Sequence, residues 1–132
     1  DALMQFCNHK QFELFICTSP SSKNLHSFSE KAQWIEKHLG KSWVKRTIMT
    51  CKKAMVKGDY IIDDKLHLFA TASLNNNEEE VEELPAWKQI FIKNEFNKDL
   101  LETFDKTKYE HVVVATCSNV EEALQFILNL AN

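Results

Sequence analysis

One short stretch limits the choice of fold more than any other. In GDYIIDD, residues 58–64, an aromatic and two isoleucines (Tyr60, Ile61, Ile62) run straight into adjacent carboxylates, Asp63 and Asp64. The apolar run is too short for a helix and fits a buried strand. Two carboxylates a few ångströms apart raise each other's pKa unless a cation lies near them. In an open α/β sheet such a pair stands at the carboxyl end of a strand, where ligands bind. A hard cation such as magnesium is satisfied there by one or two carboxylates and its own waters. A solvated Asp-Asp turn explains the same residues, and on this stretch alone both readings stand.

The segments around it set the fold class. Ala2, Leu3, Met4 and Phe6 predict a short helix, broken near Asn8. Residues 12–17 (FELFIC) predict a buried strand that Pro20, which lacks an N–H, stops. Ser27-Phe28-Ser29-Glu30 matches a capping box with Ser27 as the cap. Phe28, Ala32, Ile35 and Leu39 then share one helical stripe, with Trp34 and His38 at its margin, and Gly40 is placed to end the helix. Trp43 and Val44 add one more turn, and residues 46–50 (RTIMT) read as a second strand. Strand, helix, strand and a further strand are the rhythm of a parallel sheet with crossovers.

Beyond Asp64 the pattern is less regular. Residues 66–74 are ambiguous. Residues 75–83 (NNNEEEVEE) lack the alternating ligands and central glycine of a calcium loop, and read as a solvated surface loop. Pro85 opens a strand at 87–92 (WKQIFI), followed by a polar turn at Lys93 and Asn94 and a helical stretch at 96–104. Residues 110–116 (EHVVVAT) carry the strongest strand signal in the chain. Ser118-Asn119-Val120-Glu121 is a second capping box, opening a helix with Ala123, Leu124, Ile127, Leu128 and Ala131 on its apolar face.

Composition narrows the class of partner. The 132 residues suit one domain. A net charge of −3 and a pI near 6.0 recommend neither a nucleic-acid nor a membrane surface. No apolar stretch approaches the ~20 residues of a membrane-spanning helix. Cys7, Cys17, Cys51 and Cys117 form no zinc pattern; Cys17 and Cys117, in apolar strand-like runs, read as small buried hydrophobes in a reducing compartment, and a cytoplasmic location is expected. His26, His38, His67 and His111 lack metal-ligand spacing, and His9, beside Lys10, reads as solvated. Trp34, Trp43 and Trp87 read as core or core-edge residues.

Three clusters at predicted strand ends carry the chemistry. Thr18-Ser19 offers hydroxyls and N–H groups to phosphate oxygens. Lys52-Lys53 offers a point charge. Asp63-Asp64 offers hard oxygen ligands. Each is weak singly, since such residues commonly turn a chain or coat its surface. In this order they compose a site for phosphate and magnesium, in which metal and lysine offset phosphoryl charge.

Those residues carry a resemblance. ICTSP, Lys53 and GDYIIDD resemble the second, third and fourth motifs of the haloacid dehalogenase superfamily of phosphohydrolases. Thr-Ser-Pro, the helix around EKAQWIEKHLG, the basic loop, IIDDK and LPAWKQIFIKNEFNKDL look more closely like the 5'(3')-deoxyribonucleotidases. The resemblance covers Ala2 to Leu100. It implies an α/β, three-layer Rossmann-like parallel sheet with a helical cap, hydrolysing nucleoside monophosphates through an aspartyl phosphate with Mg2+. Carried over by position, Thr18, Ser19 and Lys53 would hold phosphate, Asp63 would ligate magnesium, and Lys53 and Asp64 would serve catalysis.

One departure shapes the expectation. The family's nucleophile motif, Asp-x-Asp, occurs nowhere in the 132 residues. The fold expected is therefore a single partial core over residues 1–132, with the first strand and helical cap missing. The chain opens on Asp1 rather than methionine, and is read as a piece of a longer enzyme, itself inactive. The alternative is a truncated, inactive homologue binding phosphate, a nucleotide or a protein. Loss of a central strand would expose sheet edges, so instability or self-association is expected.

Overall fold

The computed structural model describes residues 2–66, 72–74, 80–82, 85–103 and 111–131. It divides between Lys53 and Ala54 into two units, each with its own parallel sheet.

The first unit begins with helix α1 (Ala2–Cys7) and continues through strand β1 (Ile16–Thr18), helix α2 (His26–Leu39), the one-turn helix α3 (Lys41–Val44) and strand β2 (Thr47–Met49). β1 and β2 are parallel, pairing Ile16 with Thr47 and Thr18 with Met49. The strand expected at 12–17 is thus shorter and later. The ladder is only as long as β2, so among the described residues no strand pairs with residues 12–15, and Phe15 is half exposed. Among the described residues of this unit, Phe6, Ile35 and Trp43 are the buried apolar ones. Phe6 meets Phe12 at a ring-centroid distance of 5.1 Å.

Helix α2 starts one residue before its expected cap. Leu25 already has helical angles (φ −62, ψ −24), so the capping role falls to Asn24, whose Oδ1 accepts the His26 N–H at 3.0 Å. Ser27 instead lies inside the helix, buried, and its hydroxyl donates to the Ser21 carbonyl at 3.1 Å. Ile35 of the expected stripe is buried, but Phe28 is exposed, and Trp34 is exposed with its ring 4.6 Å from that of His38. Gly40 does end the helix: its N–H donates to Ile35 and Glu36 carbonyls at 3.2 and 3.0 Å, with φ 100 and ψ 165.

The second unit follows a short 3-10 turn (Lys53–Met55). Its elements are β3 (Tyr60–Asp63), β4 (Ala72–Leu74), β5 (Glu80–Glu82), β6 (Lys88–Ile92), α4 (Leu100–Thr103), β7 (Val113–Cys117) and α5 (Val120–Ala131). β3, β6 and β7 form a parallel sheet with β6 in the middle. A middle parallel strand is covered on both faces, and Gln89, Ile90 and Phe91 of β6 are accordingly fully buried. β3 is less buried than expected: Tyr60 is 39% exposed and the rest are intermediate, as suits an outer strand of this sheet. Ala54, Trp87 and Val112 form a core cluster against which Ile61 and Leu66 pack.

β4 and β5 pair antiparallel, so residues 80–82 of the expected acidic loop are strand; residues 75–79 lie outside the described residues. The valine-rich strand starts later than expected, at Val113, and its register against β6 skips Val114, which is left 42% exposed. α5 packs against β6 and β7 with Ala123, Leu124 and Ile127 buried, whereas Ala131 is exposed. Its cap is Asn119, one residue after the expected Ser118: Asn119 Oδ1 accepts the Glu122 N–H at 2.9 Å, and Glu122 Oε2 accepts the Ser118 N–H at 2.8 Å.

The architecture is α/β with parallel strands in two open sheets, consistent with an incomplete Rossmann-like fold.

The φ of Gly40 lies in a region that only glycine occupies cheaply. Gly40→Ala should cost about 1–3 kcal/mol although a Cβ there meets no atom within 4 Å. Gly58→Ala, with no positive φ, should stay within about 0.5 kcal/mol. Urea unfolding midpoints of the two variants check the contrast.

Candidate functional site

In the first unit, parallel pairing puts the loops after β1 and β2 side by side. Thr18 is the last residue of β1 and partly buried; Ser19 follows it, exposed. The Thr50 N–H donates to the Thr18 carbonyl at 3.0 Å, extending the ladder one residue past β2. One step further, the Cys51 thiol donates to the Pro20 carbonyl at 3.2 Å. The Thr50 hydroxyl oxygen accepts the Lys52 N–H at 3.0 Å and shapes the turn that delivers Lys53. Lys53, partly buried, opens the 3-10 turn. On the other flank, the Ser27–Ser21 bond ties the β1 loop to the first turn of α2. The hydroxyl pair and the basic loop are thus braced against each other at the carboxyl ends of adjacent strands. Hydroxyls, loop N–H groups and ammonium are all donors, and their natural ligand is an anion rich in acceptor oxygens.

In the second unit, Asp63 closes β3 opposite Phe91 of the middle strand. Its Oδ1 accepts the N–H groups of Asp64 and Lys65 at 2.8 and 3.3 Å, which folds the chain sharply after the strand. Asp64 is exposed. The expected location of the acid pair, at a strand's carboxyl end, is the observed one. Among the described residues, no group of three His, Cys, Asp or Glu side chains is placed to hold a metal ion. The donor set is still of the hard-oxygen kind that magnesium accepts, since that ion keeps several waters beside one or two carboxylates.

Two residues that the sequence reading passed over hold this turn. Gln89 Nε2 donates to the Lys65 carbonyl at 2.6 Å, and Asn97 Nδ2 donates to the Asp64 carbonyl at 2.9 Å. Asn97 also bonds the Ile92 carbonyl and, through Oδ1, the Asn94 N–H. Asn94 Oδ1 in turn accepts the N–H groups of Phe96 and Asn97. A signal existed for both: a glutamine inside an apolar strand needs a partner, and Asn-x-x-Asn after a strand suits a side-chain-capped turn.

The remaining candidates have local roles. The His111 carbonyl accepts the Lys88 ammonium at 2.7 Å, and His67 lies outside the described residues. His9 packs on Phe12, and its Nδ1 is buried without a hydrogen-bond partner among the described residues. No helix among the described residues is long and apolar enough to cross a membrane.

Burial pushes the Cys117 thiol up from its usual range, and the Glu122 carboxylate adds to the shift. Since the thiolate is the reactive form, Cys117 should alkylate more slowly than exposed Cys51 at pH 8. Mass spectrometry of iodoacetamide-labelled peptides over time checks the order.

Comparison with known proteins gives one consistent set of relatives. The cytosolic-type 5'(3')-deoxyribonucleotidase of Homo sapiens is 36% identical over 101 residues, which is 76% of this chain and 45% of that protein. A putative 5'(3')-deoxyribonucleotidase of Bordetella pertussis is 32% identical over 84 residues, 64% of this chain and 39% of that protein. The mitochondrial 5'(3')-deoxyribonucleotidase of Mus musculus is 34% identical over 65 residues, 49% of this chain and 30% of that protein. The chain therefore spans less than half the length of these relatives. No family model matches it.

Proposed function

The chain is 5'(3')-deoxyribonucleotidase-like, of the haloacid dehalogenase type, and from that premise we propose that it carries the phosphate- and magnesium-binding part of a nucleotidase acting on nucleoside monophosphates. The observation that carries the reading lies in the first unit. Thr18-Ser19 and the loop to Lys53 sit at adjacent strand ends, tied by the Thr50–Thr18 and Cys51–Pro20 hydrogen bonds.

Each residue has a role that its chemistry suits. The Thr18 and Ser19 hydroxyls orient the phosphate oxygens. Lys53 offsets their charge and, in a complete enzyme, would hold phosphate against the nucleophile. Asp63 is the magnesium ligand, with its carboxylate orientation set by the N–H groups of Asp64 and Lys65. Asp64 shares that role or supports it through an outer layer of hydrogen bonds. Magnesium, when bound, would polarise the phosphoryl oxygens. The partners proposed are phosphate or a nucleoside monophosphate, with no extended nucleic acid and no membrane, in a cytoplasmic setting; self-association stays part of the proposal.

A second reading has its own observation. Two-step phosphoryl transfer needs an in-line carboxylate nucleophile, and the sequence has no Asp-x-Asp to supply one. By itself the 132-residue chain would then bind phosphate or a nucleotide without hydrolysing it.

Two measurements test these assignments. The 132-residue chain should not turn over dUMP or a chromogenic phosphate ester; clear magnesium-dependent turnover would refute the missing-nucleophile argument. Calorimetry with inorganic phosphate and magnesium should show binding that Lys53→Ala weakens by about tenfold, ~1.4 kcal/mol. Equal affinity in the two proteins would remove Lys53 from the site.

A further inference from the structure

We infer that Gln89 and Asn97 are positioning residues that set the Asp63-Asp64 turn for a divalent cation; the inference rests on the reading of Asp63 as a magnesium ligand. The turn is fixed from two sides. Its N–H groups at Asp64 and Lys65 are taken by Asp63 Oδ1. Its two consecutive carbonyls, of Asp64 and Lys65, are each taken by a side-chain amide from another segment. Gln89 reaches up from the fully buried middle of the sheet, at 0% exposure. Asn97 reaches across from the turn after β6, where the same Nδ2 also holds the Ile92 carbonyl at 2.9 Å.

A solvated Asp-Asp turn needs no such bracing. Water would satisfy both carbonyls without ordering any side chain, and a glutamine would not have to be drawn into the core. A turn whose carboxylate must meet an octahedral ion does need it, because magnesium tolerates little departure from its geometry. Groups bonded behind a metal ligand commonly change metal affinity by 10–100-fold when removed. Gln89 and Asn97 act on the backbone behind Asp63: both fix the turn that its carboxylate folds.

The same arrangement separates positioning from mere stability. A structural amide lowers the melting temperature and leaves ion affinity alone. A positioning amide changes affinity in protein that is still folded. The test is Mn2+ binding to the 132-residue chain, followed by the electron paramagnetic resonance of the free ion, with Mg2+ as competitor. Wild type should bind, and Asp63→Asn should lose binding. Asn97→Ala, at a partly buried site, should stay folded by circular dichroism and bind roughly tenfold more weakly. Gln89→Leu, nearly isosteric, should do the same; if it fails to fold, the Asn97 variant decides. Wild-type affinity in Asn97→Ala overturns the positioning role and leaves Asp63 as ligand. No binding by wild type, or undiminished binding by Asp63→Asn, overturns both readings.

Discussion

The direction of strand pairing is the constraint on which the rest depends. β1 runs parallel to β2, and β3 and β7 run parallel to β6. Parallel neighbours end at the same edge of their sheet, so the loops that leave them are adjacent however far apart they lie in sequence. Antiparallel pairing would have sent the Thr18 loop and the Lys53 loop to opposite edges. The hydrogen bonds that join them, from Thr50 to Thr18 and from Cys51 to Pro20, exist because both strands point the same way. The acid turn after β3 gains its two amide supports from β6 and its following turn for the same reason.

Hydrophobic burial fixes those directions unevenly. The middle strand β6 carries Gln89, Ile90 and Phe91 at 0% exposure, and Trp87 just before it is nearly as buried. Burying a phenylalanine or isoleucine side chain contributes about 1.5–3 kcal/mol, so these few residues dominate the local balance. Gln89 is the exception in that row. Its amide stays in the core because it has a carbonyl to bond, and the carbonyl belongs to the turn where the chemistry is proposed. Core and candidate site are thus linked through one side chain.

How much of this the sequence disclosed depends on the range of the interaction that decides each feature. Local signals read well. Gly40 ends α2 and Asp63 closes β3, each because a single residue's backbone or side chain decides the outcome. Both helix caps were displaced: Asn24 and Asn119 cap where Ser27 and Ser118 were expected. Capping boxes are short patterns, and serine and asparagine compete for them with almost equal strength. Strand lengths were misjudged where a partner set them, as at residues 12–15, where β2 offers nothing to pair with. The motifs ICTSP, Lys53 and GDYIIDD did identify the family that the relatives bear out. Gln89 and Asn97 show locally that each needs a polar partner, but the partners are carbonyls 24 and 33 residues away, which no local pattern identifies.

The skipped residue Val114 has an effect on the molecule's dealings with its neighbours. Among the described residues β7 is an outer strand of its sheet, and an outer strand offers backbone groups to any extended chain that drifts past. A newcomer aligning with β7 would need an even succession of donors and acceptors. The irregular step at Val114 interrupts that succession part-way along a strand of only five residues. The same kink that costs the sheet a regular ladder therefore makes this flank a poor template for fibril-like growth.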